Sequence, residues 1–359
     1  MAVYDSPVFE AHESVHVFHD DKTGLKAIIA VHSTARGPAA GGCRMWPYAS
    51  EQAAMDDALN LSRAMSYKNA VADLELGGGK SVIIGDSRTQ KTPELFEAFG
   101  RAVDRLGGAY WTAEDVGVSP ADLACSRRTT QYVAGLEGTP ASSGDPSPVT
   151  ADGVYRGTRL VAQKVFGSDD LSGLTIAVQG VGHVGGYLCD HLAKAGAKLV
   201  ITDVNEVNLK AVAERTGASI VAPEAIFDVA CDIFAPCALG GAVNLQTLER
   251  IKARAIAGAA NNQLGGPDVG QILFERGVLY APDYVINGGG IINVAAEINA
   301  LKSGGAYDAA WVETKLQRLM VTLDEVLTRS ADEKRPPHGV AAEIAKARIQ
   351  AALDQKAAA

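Results

Sequence analysis

Lys68, Lys80 and Asp115 are the residues best equipped for chemistry. Each stands among small or glycine residues: Met65-Ser66-Tyr67-Lys68, Gly77-Gly78-Gly79-Lys80-Ser81, and Thr112-Ala113-Glu114-Asp115-Val116-Gly117. Glycines let a small substrate approach the backbone, while two ammonium groups and a carboxylate supply charge, so the three segments read as the floor of a cleft. A second set is Gly180-Val181-Gly182-His183-Val184-Gly185 with Asp203 beyond it. This turn leaves the apolar run 175–179, is expected to open a helix to Lys194, and has an acid roughly 20 residues on, which is the full βαβ context of a dinucleotide site. Its glycines allow the pyrophosphate to reach the helix amino terminus. The Asp203 carboxylate suits the adenosine ribose hydroxyls and repels a 2′-phosphate, which favours NAD over NADP.

Elements must position these groups. Residues 14–20 alternate as a half-exposed strand, with 25–32 as its hairpin partner. The four histidines there (His12, His16, His19, His32) read as a solvated face, since no ligand spacing accompanies them, and no metal site is expected. Residues 37–44 are too glycine-rich for regular structure and are expected to form a loop, as are 74–79. Gly79-Lys80-Ser81 is not a phosphate-binding loop, because Leu74 stands where a glycine is needed and a strand follows. A helix from Ser50 to Tyr67 buries Ala54, Ala58, Leu61 and Met65, and Lys68 continues that stripe. A strand over 109–113 delivers Asp115 just past its end. Residues 138–150 are rich in Gly, Pro, Ser and Thr and read as the hinge between domains, with Thr150 capping the next helix. Further strands over 231–236, 254–258, 277–280 and 284–286 end in Cys237-Ala238, Asn261-Asn262 and Asn287. On the carboxyl edge of a parallel sheet these suit the nicotinamide half of a cofactor, with Asn262 and Asn287 as partners of its carboxamide or ribose. Helices are expected over 291–300, 307–330 and 340–356.

The chain has 359 residues and therefore two domains are expected. A formal charge of −9 argues against nucleic acid or an anionic membrane as partner. Five cysteines without C-x-x-C spacing argue against a disulfide framework or zinc. The first residues lack a signal-peptide pattern and no run is apolar enough to span a membrane, so a cytoplasmic protein is expected.

Together these residues resemble the glutamate/leucine/phenylalanine/valine amino-acid dehydrogenase family, most closely its leucine dehydrogenase branch. The resemblance rests on residues 37–46, 77–86, 112–117, 142–150, 235–240 and 280–287 and covers nearly the whole chain. It implies an α/β protein with a deep cleft between two domains: an N-terminal substrate-binding and assembly domain (1–137, joined by the C-terminal helix 331–359) and an NAD-binding Rossmann domain (138–330). It implies reversible oxidative deamination of an L-amino acid to its 2-oxo acid and ammonium, by a homo-oligomer, octamer or dimer. By this resemblance Lys68 pairs with the substrate carboxylate, assisted by the region of Gly41 and Gly42, and Met65 belongs to the substrate-binding set. Lys80 polarises water and the developing carbonyl, and Asp115 is the acid/base. Hydride leaves Cα only from a neutral amine, so a base must first take the ammonium proton. Ala40, where the leucine branch typically has leucine, lines the side-chain pocket with Ala113, Ile291 and Val294. The cofactor set is Thr150, Gly180, Gly182, His183, Val184, Gly185, Asp203, Cys237, Ala238, Asn262 and Asn287. A branched-chain substrate, leucine first, with valine and isoleucine, is expected. The enlarged pocket at Ala40 keeps phenylalanine open, and a catalytically silent NAD-binding sensor is the alternative of a different class.

Overall fold

The computed structural model describes residues 3–358. The chain divides into two compact units. One runs to Asp145 and takes in Ile291–Val312 and the chain from Ala345; the other comprises Pro146–Gly290 and Glu313–Ile344. These units differ from the expected division in two ways. The first crossing falls at Asp145 rather than near residue 137, and only the last part of the expected 331–359 segment joins the first unit, accompanied by 291–312.

In the first unit β1 (Ser14–Asp20) and β2 (Leu25–Ser33) form an antiparallel hairpin. They are followed by β3 (Ala39–Trp46), α1 (Glu51–Val71), β4 (Gly77–Ile84), α2 (Pro93–Asp104), β5 (Tyr110–Glu114) and α3 (Pro120–Arg127). The strands lie in the order β1-β2-β4-β3-β5, with β3 parallel to both neighbours. Both faces of this sheet are covered, so its central strands read as continuous apolar or small-residue runs rather than alternating ones. Ile28, Ala30 and Val82 pack with Ala54, Ala58 and Leu59 of α1 on one face. Ile29, Val31, Cys43 and Met45 pack with Phe96, Phe99, Tyr110 and Leu123 on the other. Ser50 caps α1 by accepting the Ala53 N–H, and Thr92 caps α2 ahead of a proline at the first helical position.

The segment 37–44 is thus not the expected loop but most of a central strand, and β4 begins at Gly77, not at Lys80. Glycine alternation hides a strand from any periodicity test, yet it allows neighbouring elements to come closer than side chains permit. His12 and His32 are also not solvated; both are buried, ring against ring at 4.9 Å.

The second unit begins with α4 (Ser147–Phe166), then β6 (Thr175–Gln179), α5 (His183–Lys194), β7 (Lys198–Thr202), α6 (Glu206–Thr216) and β8 (Ser219–Ile220). It continues with β9 (Ile233–Pro236), α7 (Leu245–Leu248), β10 (Ala255–Ile256), α8 (Val269–Glu275), β11 (Leu279–Tyr280) and α9 (Asp283–Ile286). All six strands are parallel, in the order β11-β10-β9-β6-β7-β8. The order reverses direction between β6 and β9, the switch point beside which α/β sheets of this kind bind ligands. Two expectations are corrected here. Residues 284–286 belong to a helical turn rather than a strand. Thr150 lies inside α4, where its hydroxyl donates to the Pro146 carbonyl at 2.8 Å instead of capping the helix. The chain closes with α10 (Gly289–Ser303), α11 (Ala309–Glu333) and α12 (Pro337–Ala358). Among the described residues no helix is long and apolar enough to cross a membrane.

Candidate active site

Strand β3 organises the first cluster. Its Cys43 pairs with Ser81 of β4 on one side and Glu114 of β5 on the other. Lys80 and Asp115 therefore stand one residue from the same rung, on opposite sides of β3, and their side chains meet as an ion pair. Gly42 makes room for this contact: a Cβ there would lie 2.4 Å from the Glu114 carbonyl oxygen and 2.8 Å from the Cβ of Asp115. Lys80 is only 3 % exposed. The two oxygens of Asp115 have different partners. Oδ1 accepts from the Val116 N–H at 2.6 Å and from Arg44 Nε at 3.1 Å, while Oδ2 faces the Lys80 ammonium. Burial by itself would raise the Asp115 carboxyl, but the Lys80 ammonium and the Arg44 guanidinium outweigh it and hold the group at about 2. Asp115 is an anion at any ordinary pH.

The helix above this rung brings the other members. Met65 of α1 leans on Gly41, where a Cβ would come within 3.2 Å of its Cγ. Lys68 follows one helical step later, half-buried, in the last turn of α1. Ala113 pairs with Gly42, and Ala40 pairs with Gly78 and Trp111; both alanines are buried. Ile291 is buried and Val294 half-buried near the start of α10. Lys80, Asp115, Gly41, Gly42, Met65 and Ala113 are thus brought together by strand register and by the seat of α1.

The second unit assembles the glycine turn. Gly180 ends β6 at φ +93°, and a Cβ there would lie 2.8 Å from Ala238. The Cys237 N–H donates to the Gln179 carbonyl at 2.7 Å, which ties β9 to β6 at the switch point. Burial pushes the Cys237 thiol up to about 12, so it is a neutral group. Gly182 precedes α5 with no side-chain cap, and nothing lies within 4 Å of where its Cβ would be. The amino terminus of α5, with exposed His183 and half-buried Val184, thus keeps orphan N–H groups for an anion. Gly185 lets the helix lie on the turn, since a Cβ would meet the Gly180 oxygen at 2.0 Å. Asp203 accepts from the Val181 N–H at 2.6 Å and from the Asn205 N–H at 2.8 Å, one bond per oxygen, which leaves lone pairs for ribose hydroxyls. Asn262 is exposed at φ +52°. Asn287 donates through Nδ2 to the Ala259 carbonyl at 3.0 Å and to Asn261 Oδ1 at 2.8 Å, whereas its buried Oδ1 accepts nothing among the described residues. A buried acceptor without a donor is costly, and a carboxamide N–H or a ribose hydroxyl would satisfy it. The residues of this unit fit a nicotinamide dinucleotide.

Residues 10–132 match the family described as Glu/Leu/Phe/Val dehydrogenase, dimerisation domain, and residues 201–356 match Glutamate/Leucine/Phenylalanine/Valine dehydrogenase. The chain belongs to this dehydrogenase family. It is 48% identical over 339 residues to the leucine dehydrogenase of Geobacillus stearothermophilus, covering 94% of this chain and 91% of that protein. It is 43% identical over 332 residues to the phenylalanine dehydrogenase of Bacillus thermotolerans, covering 89% and 86%. Among solved structures, that of L-tryptophan dehydrogenase from Nostoc punctiforme superposes with a TM-score of 0.82 at 38% identity, covering 95% of this chain and 97% of that one. The protein is therefore an oxidoreductase of the amino-acid dehydrogenase type.

Sequence reasoning passed over three residues of this dehydrogenase. Arg44, besides reaching Asp115, forms a forked contact with Asp57 of α1, at 3.2 and 3.0 Å to its two oxygens. Tyr48, between β3 and α1, donates to Asp57 at 2.5 Å. The signal was strand alternation: Gly42 and Arg44 share a face once residues 39–46 are read as a strand.

Proposed function

We propose that this enzyme catalyses the NAD-dependent, reversible oxidative deamination of a branched-chain L-amino acid to the 2-oxo acid and ammonium, with L-leucine the first substrate and valine and isoleucine following. The observation that carries the reading is the ion pair of buried Lys80 with half-buried Asp115, built across Gly42, with Lys68 and Met65 on the helix above. Lys68 holds the substrate carboxylate. Asp115 Oδ2 takes the proton from the substrate ammonium, which must be neutral before Cα can be oxidised. Lys80 then orients the water that adds to the iminium carbon and stabilises the charge developing on its oxygen. NAD, when bound, supplies the hydride acceptor. Gly180, Gly182 and the amino terminus of α5 would hold its pyrophosphate, Asp203 its adenosine ribose, and Asn287 its carboxamide or nicotinamide ribose. The carboxylate at Asp203 supports NAD over NADP, because a 2′-phosphate placed beside it would meet like charge.

A leucine-type side-chain site is supported by the greater identity to leucine dehydrogenase than to the phenylalanine enzyme. The small Ala40 and Ala113 favour a second reading, an aromatic amino acid. Assembly into a homo-oligomer, octamer or dimer, through the first unit is supported by the dimerisation-domain match and by β1, an edge strand with Val17 69% exposed. The deciding experiment measures initial rates at alkaline pH with L-leucine, L-valine, L-isoleucine, L-phenylalanine and L-tryptophan, each with NAD and with NADP, with Lys80→Ala as control. Fastest reduction of NAD by leucine supports the proposal. Preference for an aromatic amino acid replaces leucine with the second reading. NAD binding without turnover on any of them would make the protein a nucleotide-binding sensor.

A further inference from the structure

Asp115 is steered by a chain of three residues, of which only Arg44 touches it. Arg44 reaches it through Nε and uses Nη1 to grip Asp57, and Asp57 in turn accepts the Tyr48 hydroxyl. The three come from different places: β3, the connection that follows it, and the second turn of α1. Burial, and then the Asp57 charge, push the Tyr48 hydroxyl well above its ordinary value, so it stays a donor. We propose that Arg44, locked by Asp57 and Tyr48, is the positioning residue of Asp115, fixing Oδ1 so that Oδ2 alone is presented to Lys80 and to the substrate. The assignment deepens the proposed function and rests on Asp115 being its proton acceptor.

Geometry and charge both support this role. A guanidinium presents its donors in a rigid planar fork, so Arg44 serves two carboxylates at once from a single orientation; a lysine ammonium is a point charge without that plane. Together with the Val116 N–H, Arg44 leaves the Asp115 carboxylate no free rotation about χ2. The charged and titratable groups around Asp115 are Lys80 from β4, Arg44 and Cys43 from β3, Tyr110 from β5, and Asp57 and Tyr48 behind the arginine. Cys43 and Tyr110 are both raised by burial and remain neutral, so the Arg44–Asp57 pair is the adjustable part of the field. Removing Arg44 takes away one of two cations that lower Asp115, and the base becomes stronger but less well aimed.

The test compares Arg44→Met, Arg44→Lys, Asp57→Asn and Tyr48→Phe in the full-length enzyme, by pH profiles of kcat and KM with L-leucine and NAD. Arg44→Met is expected to lower kcat by about ten- to a hundredfold. Its KM for L-leucine stays within about threefold, and the acid limb of kcat moves to higher pH. Arg44→Lys keeps the charge, so the acid limb stays in place while kcat still falls. Asp57→Asn and Tyr48→Phe are milder versions that retain the arginine, guarding against a variant that fails to fold. Wild-type kcat and an unmoved acid limb in Arg44→Met overturn the assignment, as does a change confined to KM. Carbon-13 titration of the Asp115 carboxyl separates this proposal from the reading beneath it, because it needs no turnover. An upward shift in Arg44→Met upholds the link between the two residues even if L-leucine is not the substrate, and an unshifted titration overturns it.

Discussion

At the scale of single residues the site is a problem in shared charge. Lys80 is buried and Asp115 nearly so, and each makes the other tolerable in a poorly hydrated place; Arg44 adds a second cation at the edge. The depressed carboxyl sets the sign of its pH dependence. Its folded value of about 2 lies below the ordinary 3.8, so its contribution to stability is complete above about pH 4 and is lost as pH falls toward 2. Asp115→Asn should therefore do two things at neutral pH. It should cut kcat by about 10²–10⁴, the usual worth of a positioned base. It should also destabilise the enzyme by about 3 kcal/mol, because a buried ammonium loses its counter-charge. Adding Lys80→Met to Asp115→Asn removes that stranded charge and should restore part of the stability with none of the activity. Urea unfolding of the two single variants and the double variant measures this; simple additivity of the single losses would mean that the pair is not energetically coupled.

Elements are held by subtler contacts, and the histidine pair beside β2 is the clearest. His32 of β2 bonds Ser66 of α1 at 2.8 Å, and His12 bonds the Leu59 carbonyl of the same helix at 3.0 Å, so two neutral imidazoles tie the edge hairpin to α1. Burial foremost, then the neighbouring His12, depresses His32 to about 4, with Glu10 opposing and Arg63 reinforcing. The unfolded chain binds a proton at about 6.5 and the folded one resists it to about 4. Stability is thus whole above pH 6.5 and declines between those values, by roughly 3 kcal/mol for a shift of this size. His32→Gln should flatten that decline. Melting curves at pH 7 and pH 5 test it, and an equal loss of Tm in both proteins would assign acid sensitivity elsewhere. These contacts also show where the sequence was legible. The caps Ser50 and Thr92, the hairpin, the turn at Gly180 and the strand delivering Asp115 just past its end follow from local rules that tertiary structure left alone. Strand β3 did not, because Gly41 and Gly42 carry no side chains to show a period and their place in the sheet is imposed by β4, β5 and Met65. With that strand unseen, the face shared by Gly42 and Arg44 was unseen too. The buried histidines failed for the same reason: imidazoles on an alternating strand look solvated until the packed helix is known.

Across the whole molecule the chain passes between its two units four times, at 145/146, 290/291, 312/313 and 344/345. The glycine- and proline-rich stretch announces only the first. The last two fall inside α11 and α12, whose composition does not change at the crossing, so nothing local marks them. Inside the first unit, the segment leading to the first crossing is held by the helix that follows the second. Glu297 of α10, 1% exposed, accepts through Oε1 from the N–H groups of Gly135 and Leu136 at 3.0 and 3.1 Å. Through Oε2 it accepts from the Ser143 N–H at 3.2 Å and its hydroxyl at 2.7 Å. Asn293, one turn earlier, donates to the Ser143 carbonyl and accepts from Tyr307. Among the described residues the four donors to Glu297 are neutral, so the carboxylate is held by aimed dipoles rather than by a counter-ion, and hydrogen bonds to a charged group contribute about 1.5–3 kcal/mol each where they replace water. Glu297→Gln preserves shape but turns one acceptor into a donor facing another donor. It should lower stability by about 2–4 kcal/mol and open residues 138–145 to protease, since exposed backbone is what proteases cut. Cleavage-site mapping after brief thermolysin and proteinase K treatment, read beside the melting temperature, checks both effects. An unchanged Tm with no new cleavage before Pro146 would show that Glu297 does not clamp the segment, and that its burial serves only the packing of α10.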